Sequence, residues 1–240
     1  MSLQRLPIVY ITGHPACGKT TISKWLADSF GLYHISMSDL RRAHLASIRA
    51  GVPWVAEPIR KYVKGGKIIP QHLLEQYEAV PAVLQYYNHI TSGNRNWTTE
   101  IASAMLNEEI TRVSVLAQSE GKYKGIILDE HPLPEGTVSE DLVAMYKPAG
   151  ITIVIESSRK FARQRYLERV KILGENEERF NQRMKSTDRV LPRFIELMEG
   201  FGDIVRWKND DDTMFADQVY RDLRSGLNKN NAWLTFTKQN

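Results

Sequence analysis

Two kinds of apolar segment alternate along the chain. One kind is short and continuous: Pro7 to Thr12 reads PIVYIT, Leu32 to Met37 reads LYHISM, Gly125 to Asp129 reads GIILD and Gly150 to Ile155 reads GITIVI. Such runs, rich in β-branched residues, predict strands, and those apolar at nearly every position suit strands buried on both faces of a parallel sheet. Asp203 to Trp207 predicts a last short strand. The other kind is longer and helical in pattern. It predicts helices over Lys19 to Phe30, from Ser38 to about Ala50, over Glu57 to Lys64, from Pro70 onward and over Glu100 to Glu120. In the last of these, Ile101, Met105, Ile110, Val113 and Leu116 form an apolar stripe. Ser38 and Asp39 offer N-cap chemistry for their helix. Further helices are expected at Ser139 to Tyr146, at about 158 to 172 and 176 to 200 with a break at Gly174, and at Thr213 to Arg224. The stretch from 76 to 100, with Tyr77, Tyr86, Tyr87 and Trp97, reads as loop-rich. The polar tail from Gly226 to Asn240, with Trp233 and Phe236, reads as partly ordered.

Strands alternating with helices imply an α/β fold with a doubly wound parallel sheet. Ligands then bind beyond the carboxyl ends of the strands, where the strand order reverses. The 240 residues suffice for one such domain with an embedded lobe.

Composition removes several classes. Hydrophobic residues make up 42% and charged residues 25%, ordinary values that argue against a disordered or fibrous chain. No apolar run is long enough to span a membrane, and Met1 to Leu6 lacks the apolar core of a secretory signal. The single cysteine, Cys17, leaves no intramolecular disulfide and no multi-cysteine zinc site. The expected compartment is therefore reducing: cytosol or nucleus. Net charge is +4. Between Arg159 and Arg193 stand eleven Lys or Arg against five Asp or Glu. A basic excess so localised points to an anion site rather than to a nucleic-acid surface.

Residues 13 to 20 are Gly13-His14-Pro15-Ala16-Cys17-Gly18-Lys19-Thr20, a full match to G-x-x-x-x-G-K-[ST], followed by Thr21. A β-rich run precedes the loop and a helix follows. Gly13 and Gly18 allow backbone angles closed to other residues. Successive N–H groups and the start of a helix at Lys19 make a cradle for phosphate. Lys19 is placed to reach the β- and γ-phosphates of a nucleotide, and the Thr20 hydroxyl to ligate Mg²⁺. Cys17 reads as a small filler, with a redox-sensitive thiol as the sharper alternative. Asp129 ends a buried strand, the usual partner of such a loop, and would hold Mg²⁺ directly or through water. Glu130 beside it is either a base for an attacking water or a solvated loop residue.

These segments together resemble the adenylate kinase and nucleoside monophosphate kinase family of P-loop proteins. The phosphate loop carries the resemblance first. Ile35-Ser36-Met37-Ser38-Asp39-Leu40-Arg41-Arg42 is similar to the strand and helix that open the family's acceptor lobe. Lys64-Gly65-Gly66-Lys67-Ile68-Ile69-Pro70 is like its lysine–glycine turn. The order from Asn176-Glu177-Glu178 and Arg183 through the long helix to Glu199 follows the family as well.

The resemblance covers roughly two thirds of the chain. It implies a three-layer, five-stranded parallel sheet with an enlarged helical acceptor lobe at about 38–122 and a short lid at about 169–178. It also implies transfer of the γ-phosphoryl of ATP-Mg²⁺ to a small phosphate acceptor such as a nucleoside monophosphate. Arg42 matches the arginine that holds the acceptor's phosphate, with Asp39 beside it. Arg169 and Arg183 match arginines that clamp the transferring group. The chain departs from the family at Asp129-Glu130-His131-Pro132-Leu133, where Leu133 replaces an arginine, and at a lid lacking the usual Gly-Arg. Arg42, Arg60 and Arg95 are candidates to replace the lost contact. An ATPase or nucleotide switch built on Asp129-Glu130, and a kinase of a non-nucleotide small molecule, stand as alternatives.

Overall fold

The computed structural model describes residues 4–49, 57–65, 67–76, 82–91, 99–129, 148–173, 176–210 and 216–238. Strand β1 (Ile8–Gly13) leads into helix α1 (Lys19–Phe30), then β2 (Tyr33–Ser36) and α2 (Met37–Arg49). Helices α3 (Glu57–Lys64), α4 (Gln71–Leu74), α5 (Ala82–Thr91) and α6 (Thr99–Glu120) follow. Next come β3 (Ile126–Asp129), β4 (Pro148–Glu156), α7 (Arg159–Leu173), α8 (Glu177–Glu199), β5 (Asp203–Lys208), α9 (Ala216–Leu227) and α10 (Asn231–Lys238).

The five strands form one sheet in the order β2-β3-β1-β4-β5, with every pairing parallel. The chain leaves β1 for one side of the sheet and later passes it to reach β4, so the order reverses at β1. This is the doubly wound, three-layer α/β arrangement expected of a P-loop nucleotide-kinase-like fold. All six residues of β1 are buried, as a central parallel strand requires. On one face Val9, Ile11, Ile153 and Ile155 pack against Ile22 and Leu26 of α1 and against α9 and α10. On the other, Ile8, Tyr10 and Leu128 pack against α6 and against Phe194 and Met198 of α8. Helices α3 to α5 gather round a separate small cluster of Ile59, Ile69, Leu74, Leu84 and Tyr87.

Four expectations need correction. Helix α2 begins at Met37, directly off β2, so Ser38 and Asp39 lie inside its first turn. Ser36 takes the capping role, its Oγ accepting the Asp39 N–H at 3.4 Å. The stretch expected to be loop-rich contains α5, because Leu84 and Tyr87, three apart, find the small cluster to bury against. Strand β4 starts two residues earlier than Gly150. The tail expected to be only partly ordered forms α10, which places Trp233, fully buried, and Phe236 in the main core, with Phe30 edge-on to Trp233 at 4.9 Å. The expected helix from Ser139 to Tyr146 lies outside the described residues, as do Tyr77, Arg95 and Trp97.

Candidate active site

The phosphate loop leaves β1 at the reversal point of the sheet. Gly13 has φ 147°, and a Cβ there would stand 2.1 Å from the Ile155 carbonyl oxygen of neighbouring β4. Gly18 has φ 97°, and a Cβ there would meet the Asn209 amide at 2.5 Å. Gly13 therefore requires glycine for space as well as backbone angle, and Gly18 for its backbone angle. Ala16 also adopts positive φ, 58°. The loop is thus held tight between β1 and the ends of β4 and β5.

Gly18 is the N-cap of α1, and no side chain caps the helix there. No acidic residue occupies its first turn either. The open N–H groups and the positive end of the helix dipole are left for an anion. The Lys19 ammonium lies back across the loop and donates to the carbonyls of Gly13 (3.0 Å) and His14 (2.8 Å). Neutral acceptors hold it there, and a charged phosphate oxygen would bind it about twice as strongly. Thr20 is half-buried in the first turn and Thr21 is exposed, as are parts of His14 and Pro15. Cys17 is fully buried, with Sγ 3.8 Å from Lys19 Nζ. Its burial fits the filler reading of this residue.

Three contacts that fix the loop escape the motif. Asn209 Nδ2 donates to the Cys17 carbonyl at 2.8 Å. Arg165 of α7 donates from Nη1 to the Asn209 carbonyl at 2.8 Å. His14 Nε2 and Asp188 Oδ1 of α8 are hydrogen-bonded at 2.8 Å. The only sequence signal for these was the placement of the basic stretch and the last strand; the residues come from three separate elements. Asp210, next to Asn209, accepts from the Ser158 N–H and so pins the start of α7. That hydrogen bond, aided by Ser157 and Lys208, holds the Asp210 carboxyl below the usual carboxylate range.

Asp129 ends β3, in register with Ile11 of β1 and Ser36 of β2. It is 1% exposed. Oδ2 lies 3.4 Å from His34 Nε2, while buried Oδ1 has no hydrogen-bond partner among the described residues. A buried carboxylate oxygen without a partner calls for a cation or a bound water. No cluster of three His, Cys, Asp or Glu able to cage a metal occurs among the described residues. The unpartnered Oδ1 fits magnesium, which keeps most of its waters and needs one or two carboxylates plus phosphates.

The remaining candidates are more dispersed. Asp39 and Arg42 form an ion pair on exposed turns of α2. Arg60 sits half-buried on α3, next to Ile59 of the small cluster. Arg183 stacks its guanidinium over Tyr166 of α7 at 5.8 Å. The side chain of Arg169 lies outside those described, as do Glu130, His131 and Leu133. Helices α7 and α8 are fastened together by Arg163 and Glu177, whose two hydrogen bonds measure 2.8 and 2.9 Å. The Arg163 guanidinium holds the Glu177 carboxyl below its ordinary value.

No family model matches the chain. Among curated proteins it is 26% identical over 219 residues to adenylate kinase 1 of Drosophila melanogaster, covering 89% of this chain and 79% of that one. It is 24% identical over 235 residues to adenylate kinase isoenzyme 1 of Gallus gallus, covering 95% of this chain and all of that one. A shorter match of 63 residues, 26% of this chain and 27% of the other, reaches 35% identity with an adenylate kinase of Malacoplasma penetrans (strain HF-2). Low identity spread over most of the chain supports an adenylate kinase-like, nucleotide-binding protein of the kinase type. No helix among the described residues is long and apolar enough to cross a membrane.

Proposed function

We propose that the protein is an ATP-dependent phosphotransferase of the adenylate and nucleoside monophosphate kinase type, moving the γ-phosphoryl of ATP to a small acceptor, in the first instance a nucleoside monophosphate. The observation that carries this reading is the phosphate loop. It combines an uncapped helix start, two glycines at positive φ and an ammonium lying ready across the loop.

In this reading the triphosphate lies along the N–H groups from Gly13 to Thr21. Lys19 exchanges its two carbonyl acceptors for β- and γ-phosphate oxygens. Thr20 Oγ1 and Asp129 would hold the magnesium ion, Asp129 through the Oδ1 that no described residue engages. When bound, magnesium would neutralise charge on the β and γ oxygens. Arg183 and Arg169, flanking the short lid at about 169–178, would clamp the transferring group and stabilise its spread charge. The acceptor lobe, at about 38–122, supplies Asp39, Arg42 and Arg60. Arg42 binds the acceptor's phosphate once it parts from Asp39.

An acceptor oxygen forms the new bond to the γ-phosphorus while the bond to the β-bridging oxygen breaks and its electrons leave with ADP. A monophosphate acceptor is already largely ionised at neutral pH, so positioning and charge neutralisation suffice without a protein base.

The test is ADP production from ATP and Mg²⁺ by the purified protein. It is run without acceptor and with AMP, CMP, UMP, GMP and their deoxy forms. Stimulation by one monophosphate supports the reading and names the acceptor. ADP release independent of any acceptor, and lost in Glu130→Gln, overturns it in favour of an ATPase.

A further inference from the structure

Beside the phosphate loop, meeting the nucleotide path just described only at His14, a cavity of about 600 Å³ runs along α8 where that helix crosses the β4–β5 edge of the sheet. Its floor is apolar: Val154, Leu191 and Ile195 line it, each less than a tenth exposed. Its rim is acidic. Asp188, Glu196 and Glu199, all from α8, stand along one side. Across from them Glu156 and Arg206 cancel each other at 2.8 Å. The far end closes on His14 of the phosphate loop, which Asp188 holds.

The charge here opposes that of its surroundings. Helix α8 carries Arg179, Arg183, Lys185, Arg189 and Arg193, yet none of them lines the cavity. Positions 188, 192, 195, 196 and 199 repeat at helical spacing, so they share one face. At 1.5 Å per residue, Asp188 and Glu199 lie about 16 Å apart along the helix axis. Carboxylates so widely spaced cannot converge on one metal ion. They suit a ligand whose positive charges are also spread out and are joined by apolar segments that lie on the floor. A volume near 600 Å³ is that of a small-molecule pocket rather than of a docking face for a folded partner.

We propose that this cavity binds a linear aliphatic polyamine. Its ammonium groups meet Glu196 and Glu199, and a terminal one reaches Asp188. Its methylene chain covers Val154, Leu191 and Ile195. The ammonium at Asp188 competes with His14, so occupancy is felt in the phosphate loop.

Isothermal titration of the full chain with spermine tests this, at physiological salt and without nucleotide, because ATP itself pairs with polyamines. The expected result is saturable binding at one site. The doubly substituted Glu196→Gln/Glu199→Gln chain should bind about two- to thirtyfold more weakly, the loss of two partly exposed ion pairs. Both carboxylates are exposed, and an unchanged melting temperature verifies that the variant folds. Putrescine, too short to span the rim, should bind more weakly than spermine. In a histidine-labelled protein, spermine should shift the His14 ring signal, and Asp188→Asn should abolish that response. Equal binding by wild type and double variant overturns the proposal, as does displacement of spermine by Mg²⁺ in simple proportion to charge. A His14 signal that never moves overturns the link to the loop. Lys19→Ala should bind spermine normally, so failure of the phosphotransferase reading and failure of this one are separable.

Discussion

Asn209, the first residue after β5, donates from Nδ2 to the carbonyl of Cys17, 192 positions earlier, at 2.8 Å. Its backbone N–H donates to the Glu156 carbonyl and its own carbonyl accepts from Arg165. One residue, through its side chain and both its backbone polar groups, therefore joins the phosphate loop, the end of β4 and helix α7. The loop's shape is set by this crosspiece as much as by its glycines.

Removing the crosspiece should loosen nucleotide binding more than it unfolds the protein. Asn209→Ala deletes one neutral hydrogen bond, a loss of about 0.5–1.5 kcal/mol. The dissociation constant for ATP should rise about two- to tenfold in calorimetric titration, with the melting temperature lowered by only a few degrees. Unchanged ATP affinity would show that the loop keeps its shape unaided.

Lys19→Ala should reduce phosphoryl transfer by about 10²–10³-fold, the usual loss when a positioned charge-stabilising donor is removed. Folding should be spared, because the hydrogen bonds of Nζ go to groups of its own loop. ADP production and a thermal melt on the same preparation check both halves. Near-normal turnover would remove the loop from the chemistry.

Trp233→Ala should cost about 3–5 kcal/mol in urea unfolding, as for other fully buried aromatics. Trp233 packs between Phe30 of α1 and Phe236 of its own helix, at 4.9 and 5.8 Å. That loss is a large share of the stability of an ordinary domain. A cost below 1 kcal/mol would mean that α10 does not dock in solution.

Asp210 makes the α7 anchor sensitive to acid. Its carboxyl is held below the ordinary value chiefly by the Ser158 N–H, so the folded form binds a proton less readily than the unfolded. The stabilisation is complete above about pH 4, the ordinary Asp value, and is lost as pH falls through the lower folded value. The melting-temperature deficit of Asp210→Asn should therefore stay flat from neutrality down to about pH 4 and close below it. A deficit that persists unchanged to about pH 2 would contradict this origin.

What could be read from the chain divides along a physical line. Strands β1, β3 and β4 announce themselves because both faces are buried, which writes an unbroken apolar run. The phosphate loop is equally plain, since its glycines answer to local backbone angle and close approach. Helix α10 hides because eight residues with two buried aromatics carry too little periodicity to stand above a polar background. Helix α5 hides behind tyrosines that favour strands in isolation. Asp188, Arg165 and Asn209 are single polar residues without a motif. Their roles exist only once β1, β4, β5 and α8 are brought side by side.

The strand order carries a consequence for synthesis. β1 is made first but sits in the middle, between β3 and β4. Its first partner begins at Ile126 and its second at Pro148. At ordinary translation rates, IVYIT waits on the order of ten seconds with both hydrogen-bonding edges bare. A growing chain in that state is a natural client for chaperones that grip short apolar strands. The delay before the sheet closes is written into the order of the strands, so shortening it would take a rearranged gene rather than a point mutation.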